Sequence, residues 1–105
     1  MIRGQVVNIA GTDYTVPPFN IAHWELYEEA ERANAEQPPS IVRMLKVLGP
    51  ILVSNIRRNY PDASEAAIMD ALDVPTFNDL RVAALTVKHT ANPPTAPANP
   101  STGAT

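Results

Sequence analysis

Two histidines, eleven carboxylates and no cysteine are the groups from which any chemistry in this 105-residue chain would be built. His23 and His89 lie far apart, and neither has a second ligand at the i,i+4 spacing of a helical zinc motif. His89 reads as a residue of the cap region ending the last helix, and His23 as a surface residue of a first helical turn. The carboxylates Glu25, Glu28, Glu29, Glu31 and Glu36 form a run. A general acid and base would instead share a partly dehydrated site that separates their pKa values. Ser40, Ser54 and Ser64 lack the strained strand-to-helix elbow of a nucleophilic serine, and the four glycines are too scattered for a phosphate loop. Without cysteine there is no thiolate zinc site, thiol nucleophile or disulfide. No catalytic, cofactor or metal residues are expected, and the chain does not read as an enzyme.

Composition narrows the classes further. A net charge of −3 and a pI near 5.2 do not supply the clustered Lys and Arg that exchange counterions with phosphates, so nucleic acid is not an expected partner. No charged segment followed by an apolar run opens the chain, so no signal peptide is expected. The longest apolar stretch, Val47 to Val53, is far short of a membrane span. A cytoplasmic protein with one small domain is the expectation.

The elements follow from local pattern. Gln5 to Ile9 and Asp13 to Val16 alternate at period two, with Ala10-Gly11-Thr12 supplying the glycine of a hairpin turn. Pro17 and Pro18 lack backbone donors and stop the second strand. Asn20 then stands as N-cap of a helix over 21–35, where Trp24, Leu26 and Tyr27 carry most of the apolar area. Glu28 and Arg32 sit at i,i+4 in the favourable order. Ser40 caps a second helix, to about Arg58, whose Gly49-Pro50 predicts a kink or a break. Arg57 and Arg58 complement the dipole at its end. Asp62 with Glu65 resembles a capping box for a short helix to Leu72, which Asp73-Val74-Pro75 breaks. Thr76 with Asp79 resembles another, opening a last helix to Val87 or Lys88 with Phe77, Leu80, Ala84 and Val87 as its stripe. The uncharged, Pro/Ala/Thr-rich text after His89 predicts a disordered tail. The fold class is α+β, mainly α-helical: an N-terminal β-hairpin, about four helices, the second kinked at Gly49-Pro50, and the tail. A single domain spans 1–89 and the tail 90–105.

The second helix is apolar around more of its circumference than the roughly 100° stripe of a surface helix. Either it is the central core helix or part of it receives a partner's apolar helix. The candidate partner-binding residues are Met44, Val47, Leu48, Ile51, Leu52 and, from the first helix, Tyr27. An exposed hydrophobic face also admits self-association into rings or filaments. Residues 64 to 85, two short helices around a Val-Pro turn, admit a helix-turn-helix DNA-binding regulator reading through Asn78, Asp79 and Arg81.

Read in order, Gly11, Tyr14, Pro17, Pro18 and Phe19, an apolar helix, and then Asn59-Tyr60-Pro61-Asp62 before an acidic helix resemble the tail assembly chaperones of long-tailed, siphovirus-like bacteriophages and prophages. The resemblance covers roughly residues 5 to 88 and rests on order and spacing, with no catalytic signature. It implies a protein of the bacterial host cytoplasm that binds the tape-measure protein, keeps it soluble, helps recruit tail-tube subunits and is absent from the mature virion. In many such proteins a frameshifted C-terminal extension recruits tube subunits, and the segment after Lys88 would suit a connector to one. A structural subunit at the head-tail joint is the further alternative.

Overall fold

Ala10 and Gly11 reverse the chain with positive φ angles of 51° and 88°, the signature of a tight I′ hairpin turn. The computed structural model describes residues 1–86. In it β1 (Gln5–Ile9) and β2 (Thr12–Val16) pair antiparallel, with Gln5 opposite Val16 and Ile9 opposite Thr12. Asn8 stabilises the turn, accepting from Gly11 N at 3.1 Å and donating to Asp13 Oδ1 at 2.7 Å. Four helices follow: α1 (Ile21–Ala35), α2 (Ile41–Ile56), α3 (Glu65–Ala71) and α4 (Val74–Leu85). The expected hairpin followed by four helices is therefore the architecture. His89, Val87, Lys88 and the 90–105 segment lie outside the described residues.

α2 is the axis of the core. Leu48, Leu52, Val53 and Ile56 are buried against Val7, Ile9 and Val16 of the hairpin, Tyr27 of α1, Ile68 of α3, and Phe77, Leu80, Ala83 and Ala84 of α4. Each large apolar side chain so buried stabilises by about 1.5–3 kcal/mol relative to exposure. Helix α2 runs through Pro50 without breaking into two and ends at Ile56, earlier than Arg58. Pro50 still removes a backbone donor, and packing on both sides holds the helix across it. Gly49 lies close under α3, since a Cβ there would stand 3.0 Å from Met69 Cε and 3.1 Å from its sulfur.

The first two caps are as expected: Asn20 Oδ1 accepts from His23 N at 2.8 Å, and Ser40 Oγ from Arg43 N at 3.1 Å. The last two are not. Ser64, not Asp62, caps α3 by accepting from Ala67 N at 3.2 Å. Asp73, not Thr76, caps α4 by accepting from Thr76 N at 2.8 Å. Pro75 therefore belongs to the first turn of α4, where its missing N–H would be unpaired in any case. Thr76 holds the Asp73 carboxyl below the usual carboxylate range. Glu28 and Arg32 form no ion pair; among the described residues the pair within 4 Å is Arg81 Nη2 with Glu31 Oε2, at 3.6 Å.

Candidate partner-binding surface

The double proline leaves two carbonyls with no ladder to join, and the end of α2 receives both. Asn55 Nδ2 donates to Pro17 O at 2.6 Å and Arg58 Nη1 to Pro18 O at 2.9 Å. Arg58 Nη1 also donates to Asn55 Oδ1 at 2.8 Å, so the buried amide is satisfied at both ends. Phe19 N donates to Ala84 O at 2.8 Å and ties the junction to α4. Asn59 and Tyr60 come to the same hairpin: Tyr60 Oη accepts from Thr15 N at 2.8 Å, and Asn59 Nδ2 donates to Thr15 O at 3.0 Å. The Tyr60 ring meets Tyr14 edge to face at 5.2 Å. Both segments that carried the resemblance thus converge on one joint, which is architectural.

Beside that joint, His23 is half-buried, more enclosed than a surface residue of the first turn. Its ring stacks on Phe19 at 5.7 Å, Nδ1 lies 2.8 Å from Asn20 Oδ1, and Nε2 lies 3.3 Å from Ser54 Oγ. Asn20 Oδ1 can only accept, which assigns the proton to Nδ1 in the neutral ring. Burial, then the Arg58 charge, lower the His23 pKa. Tyr27 is buried with its phenol accepting from Arg81 Nε at 2.7 Å, and burial pushes its pKa up. Both side chains join helices, His23 of α1 reaching Ser54 of α2 and Tyr27 of α1 reaching Arg81 of α4.

The hairpin of helices α1 and α2 differs along its length. From Glu28 to Val47 no side chain is buried, whereas Tyr27 and Leu48, the flanking residues, are almost fully so. Ile41 and Val42 at the start of α2 are 60% and 61% exposed, and Met44, Leu45 and Val47 behind them are half-buried. Arg43 braces this end, Nε donating to Asn34 Oδ1 at 3.1 Å and Nη2 to Pro38 O. The result is a held helical tip with apolar residues facing solvent. Exposed apolar surface on a braced element is suited to receiving another apolar surface, since little ordering cost remains.

Of the six expected binding residues, Leu48, Leu52 and Tyr27 are core, while Met44, Val47 and Ile51 are half-buried and packed against the core. The core claims the C-terminal half of α2, and the large apolar side chains that this helix leaves mostly in solvent are Ile41 and Val42, in its first turn. Their signal was in the sequence: they open an apolar run immediately after a proline-rich turn and the Ser40 cap. Asn55 was also missed, though a lone amide in step with Leu48 and Leu52 on an apolar stripe marks a buried hydrogen bond. Arg81, the one arginine of the helix-turn-helix reading, is occupied by Tyr27 and Glu31, and its segment has only Leu72 and Asp73 between the two helices.

Comparison of the chain with protein families, with curated sequences and with solved structures finds no match. Among the described residues no helix is long and apolar enough to cross a membrane.

Proposed function

We propose that this chain is a non-catalytic tail assembly chaperone of a long-tailed phage or prophage, working in the host cytoplasm. It holds apolar helical segments of the tape-measure protein until tail-tube subunits assemble around them. The observation that carries the reading is the braced tip of α1 and α2, where Ile41 and Val42 stand more than half exposed with Met44 and Leu45 behind them. The sequence resemblance at residues 11–19 and 59–62 supplies the identity of the partner. Such holding needs no nucleotide: covering apolar helix surface contributes about 25 cal/mol per Å2, less the cost of ordering both partners. The acidic outer side of α1, with Glu25, Glu28 and Glu29 exposed, keeps the complex in solution and favours a partner helix flanked by basic residues.

Co-expression with the large tape-measure product of the same gene cluster tests this. The expected result is a soluble tape-measure protein that co-elutes with this chain. An insoluble tape-measure protein and no joint elution would exclude the proposal.

A further inference from the structure

The two edges of the hairpin are finished differently. With Ala10 and Gly11 as a two-residue turn, Ile9 and Thr12 form the closing hydrogen-bonded pair, and alternation makes Val7 with Tyr14 and Gln5 with Val16 the next such pairs. Thr15 therefore turns its N–H and C=O away from β1, and Tyr60 and Asn59 meet both. Val6 and Asn8 turn theirs away from β2. Among the described residues no hydrogen bond reaches them. Beside this open edge runs a groove of about 250 Å3 lined by Gln5, Val6, Val7, Asn8, Asp79 and Val82. Val6 is 63% exposed and Val82 60%.

We infer that a second copy of this chain occupies that edge, with β1 of each copy pairing antiparallel about a twofold axis at Val7. That register sets Val6 of one copy opposite Asn8 of the other, twice by symmetry, and satisfies every outward N–H and C=O of both residues. The sequence permits the approach: Gln5–Ile9 contains neither a charge nor a proline, the devices that keep bare edges apart. Helix α4 supports it. Gln5 Nε2 lies 3.3 Å from Thr86 Oγ1, so α4 ends where β1 begins and runs back along it. The same axis then brings Val82 against its own copy and covers an apolar side chain that the monomer leaves in water. The strand is only five residues long, so the contact is smaller than a permanent interface and the dimer is concentration-dependent.

Sedimentation equilibrium of the full chain tests this inference, which stands independently of the tape-measure reading. The average mass is expected to rise from the 11.4 kDa monomer towards twice that between about 10 μM and 1 mM. Val82→Glu places two carboxylates at the axis, and Val6→Pro removes an outward N–H without touching the ladder. Each should raise the dissociation constant at least tenfold with the circular dichroism spectrum unchanged. If Val6→Pro disturbs the hairpin, Val82→Glu on the exposed side of α4 decides alone. A monomer throughout that range, or dimers indifferent to Val82→Glu, would overturn the inference. So would slow exchange of the Val6 and Asn8 amides that is independent of concentration, because another segment of the same chain would then hold the edge.

Discussion

Asn59 does the work of a short strand with one side chain. Its Oδ1 accepts from Ile2 N at 2.7 Å, and its Nδ2 donates to Ile2 O at 2.8 Å and to Thr15 O at 3.0 Å. It thereby stitches the N-terminal segment to the outer edge of β2 from a turn more than forty residues away. A residue with three such bonds, one partly buried, is not replaceable by a smaller one. Asn59→Ala should cost about 2–3 kcal/mol, from a typical net value near 1 kcal/mol per bond. Urea unfolding would measure it, and an unchanged midpoint would show that these bonds are exchanged for water at no cost. Asparagine in an Asn-Tyr-Pro-Asp string reads from sequence as a turn former. Its actual partners are set by how the end of α2 meets the hairpin, which no local pattern encodes.

At the scale of elements, the boundaries follow from capping chemistry that the sequence states ambiguously. Around residues 62–65, Asp62 and Ser64 can each accept from a free helical N–H, and the chain uses Ser64. Ser64→Ala should therefore destabilise by about 1 kcal/mol, while Asp62→Ala leaves the thermal midpoint where it was. Opposite results would return the cap to Asp62. The same ambiguity moved the start of α4 from Thr76 to Asp73, with Pro75 tolerated inside the first turn. α1 and the start of α2 were legible to the residue, because Asn20 and Ser40 had no rival acceptor nearby and proline stood just before each. Pro50 admits a kink or a break by the local rule, and with Leu48, Leu52 and Val53 buried on either side the helix does not break.

Over the whole molecule, α2 divides into a half that makes the core and a half that stays outside it. Leu52 is 1% exposed and Val42 61%. Leu52→Ala should cost about 2–5 kcal/mol. Val42→Asp should leave the unfolding free energy within about 0.5 kcal/mol of the parent, the range for a surface change, while weakening capture of the tape-measure protein. Equal losses of stability from both would place the tip in the core. Circumference alone marked α2 as apolar on too many sides, and it could not apportion those sides. Periodicity reports which residues prefer to leave water; it does not report what arrives to cover them.

Local sequence was enough for the hairpin, the number of helices and the start of the first two of them. Each of these depends on residues within a turn or two of one another. It took the packed fold to show that Leu48, Leu52 and Tyr27 are core, that Arg81 belongs to Tyr27 and Glu31, and that, among the described residues, β2 is closed by Asn59 and Tyr60 while β1 is left open. Those assignments depend on contacts between residues far apart in sequence, where packing geometry chooses among partners that local chemistry leaves equivalent.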